Sequence, residues 1–454
     1  MYRSKAIQSL PTKHDESALG ELDDVGMQRS KHSDIRRRGQ PARRADLDNL
    51  RTFLTALVVV HHTAIPYGGL GSWKFHSKCF PPLSLALVAF NGIDQTFFMG
   101  AFFFLSGWFS GLGISHGVQR GSQKPFLRSR LVRLTVPALV YTIFIDPLIN
   151  VILDGFGPDG FVGENEWSHS LALSTSIFWT SWINFTGIRG PVWYSALLAC
   201  FDVIASLLSS TPTSKWSDLF RNTSSNLGPW LASILLSFVI RLPYPVGTKF
   251  WPLNVQPAFV PQYILAYVLG QASQAAQNPY IYLPFRVSRR PLTHLFRSLS
   301  CSAMSLGLVL YISAALTPDP DPMAAVHSLA GGFSLPALLY AIWNEVSFAA
   351  IMPALITLFS QRFNSSWTLK IGNNKVVNLP RYSYAAFLLH PLVSLIIELS
   401  LENIMGCSSP ESASMIRILG PILMTLSVGL LNIAASWIAA YLLVEYVPYI
   451  GMVI

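Results

Sequence analysis

Residues 99–109 read Met-Gly-Ala-Phe-Phe-Phe-Leu-Ser-Gly-Trp-Phe, and they lie inside an apolar run that extends over 83–112. A helix that crosses a bilayer needs roughly 20 mostly apolar residues, so this run is long enough to span a membrane. Comparable runs follow one another along the chain, at about 48–66, 133–153, 190–209, 229–246, 257–276, 298–316, 335–360, 380–402 and 414–446. The pattern predicts an all-α, polytopic integral membrane bundle with about ten transmembrane helices.

The composition favours a lipid-facing protein. Of the 454 residues, 51% are hydrophobic and 12% are charged, whereas soluble domains carry about 25% charged residues. The net charge of +9 does not indicate nucleic-acid binding, because the Lys and Arg residues form short clusters between apolar runs and no continuous basic face. Clusters of that kind orient membrane helices. We therefore expect the lipid bilayer as a partner and exclude nucleic acid.

The chain begins with a polar, charge-mixed segment, residues 1–45, which carries basic clusters at 36–38 and 43–44. This segment predicts a disordered tail ahead of a membrane domain at 46–454. No cleavable signal peptide is predicted. The basic end of the tail is expected to stay cytosolic, so that the first helix acts as an uncleaved anchor.

The segment 168–187 is ambiguous, because it is short, rich in Ser, Thr and Trp, and poor in aliphatic residues. If it crosses the membrane, the basic segment 286–290 falls outside, against the positive-inside rule. If it lies in the outer interface, that segment becomes cytosolic and the acidic loop at 319–321 becomes external. The second assignment satisfies every charged loop. We therefore predict ten spans with both termini cytosolic, and eleven spans as the alternative.

The four cysteines are far apart in the chain, without a Cys-x-x-Cys pair or Cys/His ligand spacing: Cys79, Cys200, Cys301 and Cys407. The sequence therefore predicts no metal site and no disulfide framework.

Ionisable residues inside a span are costly and mark candidate functional sites. The first apolar run reads Asp-Asn-Leu-Arg-Thr-Phe-Leu-Thr-Ala-Leu-Val-Val-Val-His-His over 48–62. At about 100° per residue, Asp48, Arg51 and His62 share one helix face, and His62 lies about 21 Å beyond Asp48. His61 points about 100° away, toward packing or lipid. The column is either an acid–base site or an interfacial Asp–Arg pair with histidines that bond to neighbouring helices.

Two later segments add candidates. Arg130 and Arg133, at i and i+3, share a helix face and have the geometry to grip a phosphate as bidentate donors; alternatively, they only mark a cytosolic loop. Near the C-terminus, Ser383 and His390 are seven residues apart and so share a face, and Pro391 loosens the backbone beside the histidine.

Taken in order, these motifs resemble the acyltransferase 3 family, and especially its glucans biosynthesis protein C group. The family pattern is Asp-x-x-Arg followed by His, Phe-Phe-x-x-Ser-Gly, Arg-x-x-Arg with a nearby Pro, Gly-Pro-x-Trp, and Ser-Tyr with a later Leu-His-Pro. The corresponding residues here are Asp48, Arg51 and His62; Phe102, Phe103, Ser106 and Gly107; Arg130, Arg133 and Pro137; Gly190, Pro191, Trp193 and Tyr194; and Ser383, Tyr384, Leu389, His390 and Pro391. The stretch from Trp343-Asn-Glu345 to Gln361-Arg-Phe-Asn364 also resembles that group. The resemblance covers 44–446 and departs from the pattern at the doubled histidine and at Gly100, where many members have Asp.

The resemblance implies an integral-membrane O-acyltransferase that moves an acyl group, often acetyl, from acyl-CoA to a hydroxyl of a carbohydrate or natural product, with no bound cofactor. His62 would act as the general base, or would carry the acyl group as a covalent intermediate. Asp48, Arg51 and His390 would compensate charge and orient the reacting groups. The CoA phosphates would bind Arg130 and Arg133.

Three residues are candidates for the substrate pocket: Trp193, Glu345 and Ser383. Two other functions remain open from the sequence. The chain is also compatible with a proton-coupled transporter or flippase that uses His62 and His390 as relay groups, and with a catalytically inactive member of the same fold.

Overall fold

The computed structural model describes residues 44–119, 121–156, 167–184, 187–209, 227–280, 283–285, 290–318, 322–371, 375–405, 414–448 and 450–453. The tail predicted at 1–45 lies outside these ranges apart from its last two residues, so it stays a prediction. The basic segment 286–289 and the acidic loop 319–321 lie outside them as well.

The described chain is mostly helical. Its helices are α1 (Ala45–Ala64), α2 (Leu85–Gln119), α3 (Lys124–Val140), α4 (Asp146–Phe156), α5 (Trp167–Ile183), α6 (Trp193–Ser209), α7 (Gly228–Arg241), α8 (Val260–Ala275), α9 (Pro291–Leu316), α10 (Pro322–Ala330), α11 (Leu335–Arg362), α12 (Ser383–Met405), α13 (Ser414–Tyr446) and α14 (Ile450–Val453). A π-helical turn, Tyr141–Ile145, joins α3 to α4. One antiparallel hairpin, β1 (Thr368–Ile371) and β2 (Lys375–Asn378), links α11 to α12.

Seven helical segments of the described chain are long and apolar enough to cross a membrane: Leu85–Gly117, Lys124–Phe156, Gly190–Leu208, Pro291–Leu316, Leu335–Arg362, Ser383–Met405 and Ile418–Tyr446. The other three predicted spans are helical too, as α1, α7 and α8, but α1 carries charged residues and α7 and α8 have only 14 and 16 residues. The predicted all-α polytopic bundle is therefore confirmed, and the number of spans stays a prediction.

The ambiguous segment forms α5, which packs beside the C-terminal part of the long α3–α4 segment. Trp182 donates its indole N–H to the Ile143 carbonyl at 2.8 Å, and Asn150 donates to the Ser181 hydroxyl at 3.1 Å. Ile143 is 19 positions beyond Lys124, where α3 begins, which corresponds to about 28 Å along a helix. The C-terminal end of α5 therefore lies about that far from the start of α3, and whether 168–187 crosses the membrane stays a prediction.

The closest helix pair is formed by α2 and α8, and glycine makes the approach possible. A Cβ atom on Gly107 would lie 2.0 Å from the Tyr267 carbonyl oxygen, and one on Gly270 would lie 2.0 Å from the Phe104 carbonyl oxygen. Small residues that let backbones touch are a usual device for membrane helix pairs. The glycine of the Phe-Phe-x-x-Ser-Gly motif therefore has a packing function.

We expect Gly107→Ala to destabilise the protein, because the new methyl group must push two helix backbones apart. Overpacking of this kind costs about 1–3 kcal/mol. The matched control is Gly307→Ala on α9, where no atom lies within 4 Å of the added Cβ. Thermal unfolding of the detergent-purified variants is the measurement. Equal melting temperatures for the two variants would contradict the packing argument.

Candidate active site

A cavity of about 960 Å³ lies at one end of the bundle. Its walls come from α1, α2, α4, α6 and α8 to α12, from the π-helical turn, and from the loops around 65–75, 188–191 and 246–256. The volume is typical of sites that bind small molecules. Aromatic rings form much of the wall, among them Trp73, Trp193 and Trp343.

The cavity brings two of the predicted site residues into contact. The Nδ1 atom of His62 on α1 lies 2.8 Å from Nε2 of His390 on α12. The two imidazole rings are nearly parallel, with an interplanar angle of 7° and centroids 5.1 Å apart. His390 is fully buried, whereas His62 lines the cavity.

Pro391 determines which ring nitrogens carry protons. In a regular helix the Phe387 carbonyl would accept the N–H of residue 391, but proline has no N–H. That carbonyl lies 2.6 Å from Nδ1 of His390. Since a carbonyl only accepts, Nδ1 of a neutral His390 must carry the proton, and its Nε2 must accept the Nδ1–H of His62. Nε2 of His62 is then left unprotonated and available as a base.

The loop between α1 and α2 covers the histidine pair. Trp73 from this loop stacks on His62, with ring centroids 4.8 Å apart and an interplanar angle of 25°. The next residue, Lys74, holds the loop to the bundle through the carboxylate of Asp146 at 2.5 Å. Arg189 donates to the other oxygen of that carboxylate at 3.1 Å. Burial lowers the pKa of Lys74 below its ordinary value, and the neighbouring Asp146 opposes that shift.

His61 also faces the cavity, next to an acidic partner. Its Nδ1 atom lies 2.9 Å from Oδ2 of Asp94 on α2, and its ring packs on Phe98 with centroids 4.9 Å apart. Of the two directions expected for His61, packing or lipid, the structure has the first, because α1 packs against α2, α11, α12 and α13, and the ring also lines the cavity. Sequence reasoning missed the Asp94 contact. The available signal was an acidic residue inside an apolar run.

Asp48 and Arg51 lie at the opposite end of α1 from the histidines. Arg51 donates to Asp48 at 3.3 Å, as predicted for residues at i and i+3, and its guanidinium lies 5.6 Å from the centre of the Phe109 ring. Neither residue lines the cavity. The structure therefore brings His62 and His390 together, and it keeps the Asp48–Arg51 pair apart from them.

Arg130 is held by a buried carboxylate. Its Nε donates to Oδ2 of Asp202 at 2.9 Å, and Ser110 and Tyr267 donate to the other oxygen at 2.6 and 2.7 Å. About a quarter of the Arg130 side chain, 26%, stays exposed. Arg133 is exposed.

Of the three residues predicted to line the substrate pocket, one lines the cavity and two do not. Trp193 lines the cavity and stacks on Tyr263, with ring centroids 5.8 Å apart. Glu345 lies outside the cavity wall, where Ser233 donates to it at 2.9 Å. Ser383 also lies outside it and donates to the Pro380 carbonyl at 2.9 Å, at the start of α12.

Residues of the Phe-Phe-x-x-Ser-Gly, Gly-Pro-x-Trp and Ser-Tyr motifs contact neighbouring helices. The Ser106 hydroxyl of α2 lies 2.6 Å from the Tyr194 hydroxyl of α6. Tyr384 of α12 donates to the Arg133 carbonyl at 3.3 Å. Gly190 has a φ of +63°, and a Cβ there would lie 2.5 Å from the Tyr141 ring, so only glycine fits. These contacts join motif residues of α2 to α6 and of α12 to α3.

The cysteines differ in their bonding. Cys79, in the loop that covers the histidine pair, is disulfide-bonded, while Cys200 and Cys301 are free thiols. The prediction of no disulfide is therefore wrong for Cys79, because chain spacing does not show which distant cysteines meet in the fold; Cys407 lies outside the described residues. Within the described ranges, no group of three His, Cys, Asp or Glu residues has the arrangement to hold a metal ion.

Comparison with known families found one match. A family model of the acyltransferase 3 type, described as an acyltransferase domain, matches residues 44–441, which is most of the chain. No curated protein and no solved structure matches.

Proposed function

The chain belongs to the acyltransferase 3 family and is a multi-pass membrane acyltransferase, and we propose that it moves an acyl group, such as acetyl, from acyl-CoA to a hydroxyl of a carbohydrate or natural-product acceptor. The observation that carries this proposal is the His62–His390 pair, whose hydrogen bonds leave Nε2 of His62 unprotonated at the wall of a cavity. In the described part of the chain, that atom has no hydrogen-bond partner.

In the proposed reaction, Nε2 of His62 takes the proton of the acceptor hydroxyl as its oxygen attacks the thioester carbonyl. The C–S bond then breaks, and CoA leaves as the thiol after gaining a proton. A positioned base of this kind accelerates a reaction by typically 10² to 10⁴. The same Nε2 atom would be the nucleophile if the acyl group passes through a covalent acyl-histidine. His390 acts in both cases as the positioning residue that keeps His62 in the required tautomer.

The acceptor is expected to enter the cavity beside the histidines. Flat aromatic walls suit sugar rings and the carbon skeletons of natural products, and Trp73, Trp193 and Trp343 supply such walls. The disulfide at Cys79 supports a non-cytosolic position for the covering loop, because structural disulfides persist in oxidising compartments. This orientation agrees with cytosolic termini.

The donor phosphates are proposed to bind at the other end of the bundle, on α3. Arg133 is exposed there, and Lys124 and Arg128 line a surface hollow on the same helix. Arg130 keeps an exposed edge besides its bond to Asp202. Phosphate oxygens accept bidentate hydrogen bonds from arginine, which makes this helix a suitable anchor for CoA.

Arg133→Ala is expected to raise the KM for acyl-CoA roughly 10- to 100-fold, since a hydrogen bond to a charged group contributes about 1.5–3 kcal/mol. The kcat should change little. Arg362→Ala, which removes an exposed arginine at the end of α11, is the control. Arg130→Ala should raise the KM and also lower the melting temperature, because it leaves Asp202 buried without its cation. A normal KM for Arg133→Ala would mean that this arginine only orients the helix.

The direct test of the function uses membranes from cells that produce the protein, incubated with acetyl-CoA labelled in the acetyl group. We expect label to appear in an alkali-labile ester, and we expect no label in membranes with His62→Ala. Absence of transfer from any acyl-CoA would overturn the proposal. Uptake of a solute by proteoliposomes in its place would support the transporter alternative.

A further inference from the structure

His61 and Asp94 form a second oriented imidazole in the same cavity. His61 is 5% exposed and Asp94 is 2% exposed, and the Nδ1–Oδ2 distance of 2.9 Å is that of a good hydrogen bond. The rings of His61 and His62 lie edge to face, with centroids 5.6 Å apart. Two neighbouring histidines on α1 therefore reach one space, each held through its Nδ1 atom by a residue of another helix.

The His61–Asp94 contact leaves Nε2 of His61 open to the cavity. A carboxylate accepts the Nδ1–H, so the reactive nitrogen is Nε2, which carries a proton when the ring is an imidazolium. Among the described residues, that nitrogen has no hydrogen-bond partner, and His61 lines the cavity wall. Phe90 and Phe98 pack around the ring, with centroids 6.4 and 4.9 Å away, and they exclude water from its other sides.

If His61 and Asp94 only packed α1 against α2, the His61 ring would not need a free nitrogen at the cavity wall. Burying a carboxylate and an imidazole in a membrane span is costly, and such groups mark proton-transfer sites. Oδ1 of Asp94 also has no hydrogen-bond partner in the described chain. An acid left partly unsatisfied beside a ring at a cavity wall has the arrangement of a carboxylate that stabilises an imidazolium during catalysis.

We propose that His61, oriented by Asp94, is a second catalytic residue, the general acid that protonates the departing thiolate. This inference rests on the proposed acyl transfer. As the tetrahedral intermediate collapses, the C–S bond breaks and its electron pair stays on sulfur. His61 enters this step as an imidazolium whose Nδ1–H is held by Asp94. Its Nε2–H proton moves to that sulfur, so CoA leaves as the neutral thiol and His61 becomes neutral. A bare thiolate in an apolar cavity would be costly, which is why a proton donor is needed there.

The proton balance of the cycle involves both histidines. His62 gains the hydroxyl proton and His61 loses one to sulfur, so the sum is an alcohol and a thioester giving an ester and a thiol. Before the next turnover one proton must return from His62 to His61, between rings whose centroids are 5.6 Å apart. The titratable groups facing His61 are Asp94 on α2 and His62 on α1, with His390 of α12 behind His62.

The test compares two donors with different leaving groups in membranes that contain the full-length protein. Acetyl-CoA releases a basic thiolate, whereas 4-nitrothiophenyl acetate releases one that is stable without a proton. We expect His61→Ala to lower kcat roughly 10- to 100-fold with acetyl-CoA and by less than about threefold with the aryl thioester. Asp94→Asn should show the same pattern. His62→Ala should lose activity with both donors, and His76→Ala, which removes an exposed histidine of the loop after α1, should lose little with either.

A second measurement is rescue of His61→Ala by added imidazole, which should restore transfer from acetyl-CoA because the vacated space opens to the cavity. Equal losses with both donors and no rescue would reduce His61 to a structural role and overturn the inference. Full activity of His61→Ala with acetyl-CoA would overturn it as well, while leaving the proposed function intact. Wild-type membranes that transfer no label would instead reject the proposed function, and the inference with it.

Discussion

Replacement of His62 by alanine is expected to abolish acyl transfer. The loss should be at least the roughly 10² to 10⁴ in kcat that a positioned base contributes. Its physical reason is the unprotonated Nε2 of His62 at the cavity wall. Nδ1 of His62 is committed to His390 at 2.8 Å, so Nε2 is the atom that must take the proton or attack the thioester. Alanine removes that atom. It should leave the KM for acyl-CoA nearly unchanged, because the residues proposed to bind the CoA phosphates lie on α3, away from His62.

The measurement is the initial rate of ester formation from labelled acetyl-CoA, normalised to the amount of protein in the membrane. His76→Ala serves as the matched control, since His76 is an exposed histidine of the loop that follows α1. The variant must also be inserted at normal levels, because loss of protein would imitate loss of chemistry. An active His62→Ala protein would overturn the assignment of the base, while the fold and the family would stand.

Much of this site follows from helical periodicity and motif order. The spacing of Asp48 to His62 and the late Leu-His-Pro motif predict His62 and His390 as site residues, and the structure brings their rings into contact. The Asp48–Arg51 ion pair was equally predictable, because it depends only on residues at i and i+3 of one helix. Which residues share a face of one helix can therefore be derived from the sequence.

Contacts between helices could not be derived in this way. The 2.9 Å contact of His61 with Asp94 depends on the register of α1 against α2, which no local pattern encodes. The position of Trp73 over His62 depends on the path of a polar loop. The choice between packing and lipid for His61 could not be made for the same reason, since it depends on the four helices that pack against α1.

His390→Ala is expected to lower kcat by about 10²-fold or more without changing the KM for acyl-CoA, although His390 itself is buried behind His62. Without Nε2 of His390 as an acceptor, the His62 ring is free to rotate and to carry its proton on either nitrogen, so its Nε2 is no longer always unprotonated. In known catalytic triads, loss of the residue that orients the histidine lowers kcat by a comparable factor or more. His390→Gln separates this effect from simple packing, because the amide oxygen reaches the same region and accepts a hydrogen bond. We expect the glutamine variant to recover part of the lost rate.

Pro391→Ala tests the same chain of contacts from its far end. Alanine restores an N–H that competes with His390 for the Phe387 carbonyl, now 2.6 Å from Nδ1 of the histidine. The expected loss is smaller than that of His390→Ala, because the ring and its contact to His62 remain. The pH range in which kcat is highest should become narrower or move in the variant, because the Phe387 carbonyl no longer fixes the tautomer of His390. The alanine and glutamine variants of His390 could lose activity equally while Pro391→Ala is unaffected. In that case the hydrogen bonds from Phe387 through His390 to His62 do not set the tautomer, and His390 acts by packing alone.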